Sequence, residues 1–348
     1  MTSNTVMWKE IHQQPDVLKR TYAQNIDTIR ALVAELNEKK PHTVVFGGRG
    51  TSDHACQYAK YLLEIYKGLP CALTSPSVIT VYGGTYHLEN TVVIAASQSG
   101  MAADVLEIIR AGNASGAITV SITNNADSPL AKEAKYHLNC FAEKECALAA
   151  TKTFTAQLYI LLTLAAEWSG NAQLLELVKK VPDMAEKAIG MADEIEAIVP
   201  RYRFMTDCFV LARGVNLPLA FEISLKLAET SYTRARGYAI SDFHHGPFAM
   251  VDRHTPVFVI AADQKEYKDA ADITTKLENA GADILSITTD EALAARGSCA
   301  LRLPQDFTNE AAIFPIIILM QMFACRLTEV KGQNPDAPRG LNKVTITK

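Results

Sequence analysis

The sequence carries little net charge, no closely spaced cysteine pair and no apolar run long enough to cross a membrane, and each shortage closes off a class of function. With 34 basic and 38 acidic residues among 348, the formal charge is -4, which argues against a general nucleic-acid or membrane-surface binder. Any anion must be caught locally. Seven cysteines (Cys56, Cys71, Cys140, Cys146, Cys208, Cys299 and Cys325) are scattered, odd in number and without a CxxC spacing, as expected of reduced thiols in a cytoplasmic protein. The opening MTSNTVMWKEIHQQPD has no basic segment followed by an apolar stretch, so no secretory signal is expected. The longest apolar run, AAIFPIIILMQMFAC at 311–325, contains Pro315 and Gln321 and predicts a buried helix, too short for a bilayer.

What is present is a repeat. VIAASQ at 93–98 returns as VIAADQ at 259–264, FGGRG at 46–50 as VLARG at 210–214, and SGAITVSIT at 115–123 as AGADILSIT at 280–288. Three matches at nearly one offset make the chain two copies of one unit. In each copy short β-branched runs such as HTVVFGG alternate with amphipathic helical patterns such as DHACQYAKYLLEIYKG. That alternation predicts an α/β fold of βαβ units, its parallel sheet covered on both faces. The expected division is a helical segment at 1–34, a first domain at 35–168, a helical connector at 169–200, a second domain at 201–330 and a tail at 331–348.

Ligands of such sheets bind beyond the carboxyl ends of the strands. The strand VVIAASQSG ends there, presenting Ser97, Gln98, Ser99 and Gly100 just before the helical pattern MAADVLEIIRAG. Hydroxyls, a permissive glycine and a helix N-terminus suit a phosphate or carboxylate, although Ser99 alone could simply cap the helix. A second turn in the same copy, GGRGTSDHA at 47–55, adds Gly50, Thr51 and Ser52; Asp53 stands where a dinucleotide fingerprint has its last glycine. A third, ALAATKTF at 147–154, brings Leu148, Ala149 and Thr151 as candidate lining residues. The second copy has Asp263 in place of Ser97, a carboxylate that would repel a phosphate, so anion binding is expected of the first copy only.

The second copy carries different equipment. In LPLAFEISLKLAETSY at 217–232, Glu222, Lys226 and Glu229 fall on one helix face. Such a face is often a solvated ion-pair stripe. Here it is followed by SDFHHGPFAMV, with His245 in a sharp turn, and by Lys343 in the tail. Acid, ammonium, acid and imidazole can move protons on a sugar carbon, and a lysine amine can attack a carbonyl.

These motifs, with MWKEIHQQP, ATKTFTAQL and NPDAPRGLNKVT, resemble the tandem sugar isomerase (SIS) domain family over nearly the whole chain. The likeness is to the isomerase half of glucosamine-6-phosphate synthase and, in GRGTSDHA, to stand-alone SIS-type glucosamine-6-phosphate deaminases. It implies two doubly wound, mostly parallel five-stranded sheets of flavodoxin-like topology and a homodimer with a shared active site. By motif, Ser52, Ser97, Gln98 and Ser99 match phosphate contacts, with Gly50 and Thr51 beside them. Glu229 matches the base between C1 and C2, with Lys226 and Glu222 its neighbours. His245 matches a ring-opening histidine from the neighbouring subunit, and Lys343 a lysine that forms an imine with the open-chain ketose.

Several positions depart from the family pattern. Ala102 replaces a threonine, Ala228 a lysine, and Arg234 and Arg236 a histidine and a glutamate. No glutaminase segment with an N-terminal cysteine is evident, Thr2 following Met1, so the chain is not expected to make ammonia from glutamine. The resemblance then implies conversion of glucosamine 6-phosphate to fructose 6-phosphate and ammonia, with a small phosphosugar as partner, no nucleic acid, no membrane and no metal or other cofactor. A fructosamine 6-phosphate deglycase, another aldose–ketose isomerase, or a sensing module without turnover are the competing expectations.

Overall fold

A computed structural model describes residues 4–307 and 310–340. The chain forms two compact units, one built from Gln13–Cys146 and Ala150–Pro182, the other from the residues up to His12, Ala147–Ala149 and Asp183–Gly340.

The first unit holds five parallel strands: β1 (Thr43–Gly47), β2 (Cys71–Leu73), β3 (Thr91–Ala96), β4 (Ile118–Thr123) and β5 (Tyr136–Asn139), in the order β2-β1-β3-β4-β5. The second holds β6 (Asp207–Ala212), β7 (Arg234–Ala239), β8 (Pro256–Ala261), β9 (Asp283–Thr288) and β10 (Cys299–Arg302), in the order β7-β6-β8-β9-β10. The two orders are the same flavodoxin-like winding, so the internal repeat is a repeat of topology. In both sheets the winding reverses beside the first strand, between β1 and β3 and between β6 and β8.

Both β3 and β4 are buried at every position, as strands covered on two faces must be. On one face Val93 and Ala95 join Val105, Ile108 and Ile109 of helix Ala103–Ala114. Elsewhere in this unit, helix Lys152–Ser169 packs on helices Gln14–Lys39 and Thr51–Tyr66 and buries nearly every residue. In the second unit Val257, Val259 and Ala261 of β8 face helix Gln264–Ala280, while Phe258 makes edge contacts with Tyr202 and with Phe323 of helix Ile313–Val330. That last helix extends the apolar run, and 83% of it is buried, which identifies it as a core helix. Gly237 lets helix Leu217–Ser231 approach β7, because a Cβ there would lie 2.5 Å from the Ala220 carbonyl oxygen.

The units divide the chain differently from the expected boundaries. Helix Val6–His12 belongs with the second sheet, whereas Gln14–Lys39 belongs with the first. The connector is helical, in Ala172–Gly190 and Ala192–Ile198, and the division falls inside it at Pro182, where the helix lacks an N–H donor.

Candidate active site

In the first unit, six residues (97–102) separate β3 from its helix; in the second, two (262–263) separate β8 from its helix. The longer connection is the polar turn Ser97–Ala102. Gly100 is its pivot: φ is +66°, and a Cβ would lie 2.1 Å from Ser128 Oγ. Ser97 Oγ accepts from Gly100 N at 3.2 Å and Ser99 Oγ accepts from Met101 N at 3.3 Å. Each hydroxyl thus spends a lone pair on the turn and keeps its own O–H for an external acceptor. Ser99 does not cap the helix; the N-cap is Ala102, in an extended conformation and with no side-chain cap bond.

The turn after β1 lies alongside, since Gly47 pairs with Ala95. Gly50, at φ +53°, starts helix Thr51–Tyr66 without a side-chain cap, and Ser52 is buried in its first turn. The two turns are joined by a pair that sequence reasoning missed: Arg49 Nε donates to Asp104 Oδ2 at 2.7 Å. Asp104 is 2% exposed and Arg49 53%, so a cation anchored at one end stands beside two sets of hydroxyls. The Arg in GGRGT was visible in sequence; its partner lay 55 residues away.

The third turn is corrected. Thr151 is buried and donates its hydroxyl to Glu145 Oε1 at 3.2 Å, while its backbone N–H donates to the same oxygen at 2.8 Å. Glu145 also accepts from Thr153 N at 3.3 Å and Thr153 Oγ1 at 2.7 Å. A protein carboxylate therefore occupies this helix N-terminus, and Thr151 is not available to line a ligand site. Ala149 is likewise buried, and Leu148 half-buried.

The second unit closes its corresponding crevice from within. Asp263 caps helix Gln264–Ala280 by accepting from Lys265 N at 2.9 Å. Glu266, in the same turn, accepts from Asn216 Nδ2 at 3.1 and 3.0 Å. Burial pushes the Glu266 carboxyl up to about 8, against the lowering effect of the Asn216 bond.

On helix Leu217–Ser231 the expected trio converges. Lys226 Nζ lies 3.4 Å from Glu222 Oε1 and 2.6 Å from Glu229 Oε2. Their side chains are 1%, 0% and 22% exposed respectively, which excludes a solvated stripe and leaves Glu229 as the member open to a ligand. One oxygen of Glu229 is held by the ammonium, and the other remains to take or give a proton. His245 is exposed in the turn before Gly246 and Pro247, and its backbone N–H donates to Asp242 O at 3.0 Å. Its neighbour His244 is held below the usual imidazole range by burial and by Lys276, whose Nζ is 3.2 Å from Nδ1. Lys343 lies outside the described residues.

The SIS domain family matches residues 36–167 and 207–328, one match on each sheet. Glutamine–fructose-6-phosphate aminotransferase (isomerizing) of Aquifex aeolicus is 32% identical over 346 residues, covering 98% of this chain and 57% of that protein. The chain thus spans less than two thirds of that relative's length. The C-terminal domain of glucosamine-fructose-6-phosphate aminotransferase from Francisella tularensis superposes with a TM-score of 0.85 at 25% identity, covering 97% of this chain and 99% of that one. A glucosamine-6-phosphate deaminase from Thermotoga maritima shares the fold, with a TM-score of 0.79 at 22% identity over 99% of this chain and 100% of that one.

Proposed function

The chain belongs to the SIS domain family, and we propose that it is an aminosugar-phosphate isomerase of the deaminase type, converting glucosamine 6-phosphate and water to fructose 6-phosphate and ammonia. The observation that carries this reading is the buried Glu222–Lys226–Glu229 trio with only Glu229 open. The GRGTSDHA turn, similar to that of stand-alone deaminases, supports the direction.

In this reading the phosphate sits on the turn Ser97–Ser99 with Ser52, Gly50 and Thr51, and Arg49 adds a positive charge that no hydroxyl supplies. The ring-opened sugar presents an aldehyde at C1 and an amine at C2. Glu229 takes the C2 proton, and the bond electrons form the C1–C2 double bond of an enolamine. C1 is then protonated while the nitrogen lone pair forms a C2 iminium. The Lys343 amine adds to C2 and the sugar nitrogen leaves as ammonia, giving a lysine imine of the ketose; water then adds to C2 and frees the lysine, leaving the ketose. Lys226 and Glu222 fix Glu229 and do not touch the sugar. His245 opens the ring from the neighbouring subunit of a dimer, for which its exposed position is suited.

Incubating the purified protein with glucosamine 6-phosphate, galactosamine 6-phosphate and a fructosamine 6-phosphate tests this. Equal amounts of ammonia and fructose 6-phosphate from the first are expected. Release of a substituted amine from the third instead makes the protein a deglycase, and absence of product from all three removes the enzyme reading.

A further inference from the structure

A second basic site lies in the second unit, away from the trio. Arg203, Arg234, Lys331 and Arg339 line one cavity of about 580 Å³, together with Phe204, Tyr232 and Gln333. That volume is in the range of small-molecule sites. Among the described residues no carboxylate lines it, in a chain whose acids outnumber its bases. Ser231, which also lines it, follows Glu229 by two residues and so points roughly 200° around the helix from it.

The ordinary explanation for cations here is that helices Leu217–Ser231 and Ile313–Val330 both end nearby, and helix C-termini attract positive charge. Lys331 fits that explanation, since its Nζ donates to Met205 O at 2.6 Å, Ser231 O at 3.4 Å and Thr233 Oγ1 at 2.8 Å. The three arginines do not. Arg203 lies over the Phe204 ring at 5.6 Å and Arg339 over the Tyr232 ring at 4.1 Å. Arg234 reaches Asp207 only at 3.7 Å. Among the described residues one exposed carboxylate therefore answers three guanidinium groups. Phe204 is 87% exposed, so its ring face is open beside Arg203. Gln333 Oε1 is buried at the cavity with no partner among the described residues.

We infer that this cavity binds a small polyphosphate-type anion, a phosphate ester or diphosphate carrying a hydroxyl donor for Gln333, at a site separate from the proposed sugar phosphate. Guanidinium forks match phosphate oxygens, and the aromatic neighbours of Arg203 and Arg339 keep those two oriented without neutralising them.

Pyrophosphate is the probe, followed by isothermal titration calorimetry on the full chain. The protein carrying Ser97→Asp removes the proposed first site, and Arg203→Ala with Arg234→Ala weakens the second; both arginines are exposed, and an unchanged melting temperature confirms folding. Binding that survives Ser97→Asp and falls at least tenfold on removal of the two arginines is expected. Binding lost with Ser97→Asp alone, or indifferent to the arginines, overturns the site. An acidic hexapeptide that binds more tightly than pyrophosphate also overturns it, because the surface is then a docking face for protein. If the turn at Ser97 binds no phosphate, Ser97→Asp changes nothing and the arginine comparison still decides.

Discussion

The side-chain amide of Asn216 donates to both carboxylate oxygens of Glu266, at 3.1 and 3.0 Å, across the point where the winding of the second sheet reverses. In the first sheet the same point is bordered by two glycine-bearing turns and hydroxyls. One unit thus fills with its own carboxylates the kind of crevice that the other lines with donors. The difference rests on loop length as well as residue type, since the two-residue connection at 262–263 brings Asp263 and Glu266 straight onto the helix N-terminus.

Glu266 should make stability fall with rising pH. Its folded value, raised by burial to about 8, lies above the ordinary carboxylate value of the unfolded chain. The protonated form is therefore favoured by folding; that contribution is complete below the unfolded value and is lost as pH rises through about 8. The slope is about 1.4 kcal/mol per pH unit where only the folded state holds the proton. Denaturation midpoints of the wild type and of Glu266→Gln, measured from pH 5 to pH 9, should diverge upward in pH, the variant becoming the more stable. Parallel profiles would show that Glu266 is ionised throughout.

Anchor and base should separate in kinetics. Ser97→Asp is expected to raise KM by at least tenfold through repulsion of the phosphate, with a smaller effect on kcat. Glu229→Gln should lower kcat by at least a hundredfold while phosphosugar binding stays within a few fold. A Glu229→Gln protein that turns over normally removes this residue from the proton transfer.

Arg49 should act on substrate affinity. Anchored by Asp104, its cation stands beside the turn at 2.7 Å from that carboxylate. Arg49→Ala is expected to raise KM about tenfold, an effect that grows weaker at high salt as screening replaces it. Asp104→Asn is a different experiment, because it loosens the guanidinium without removing it, and should give a smaller rise. An Arg49→Ala protein with unchanged KM and a reduced kcat contradicts the assignment.

Much of this was legible in the sequence because it is periodic. β-branched runs alternating with helical patterns, repeated at an almost constant offset, specify two parallel sheets, and the structure has them in identical order. The spacing of Glu222, Lys226 and Glu229 placed them on one face, but whether that face is wet or buried depends on packing against β7 and against helix Ile313–Val330, the latter far along the chain. Arg49 with Asp104 and Asn216 with Glu266 are pairings between separate elements, 55 and 50 residues apart, and no local pattern marks them. Thr151 was misread for the opposite reason. A threonine at a helix start is equally a donor to a ligand and a donor to the protein, and Glu145, six residues upstream, decides it.

Ala102 offers the remaining test, because the structure places the residue that departs from the family pattern at the N-cap of helix Ala103–Ala114 with no side-chain bond to that helix. A threonine oxygen there would accept a backbone N–H of the first turn, and Ala102→Thr is expected to stabilise the first unit by about 1 kcal/mol. In thermal unfolding this is a rise of roughly 2 to 4 °C. The same side chain would set a further hydroxyl beside Ser97 and Ser99, so KM for the phosphosugar should fall in the same variant. A stabilised protein with unchanged KM would mean that position 102 serves the helix alone; no change in either would mean that the backbone at 102 cannot orient a cap.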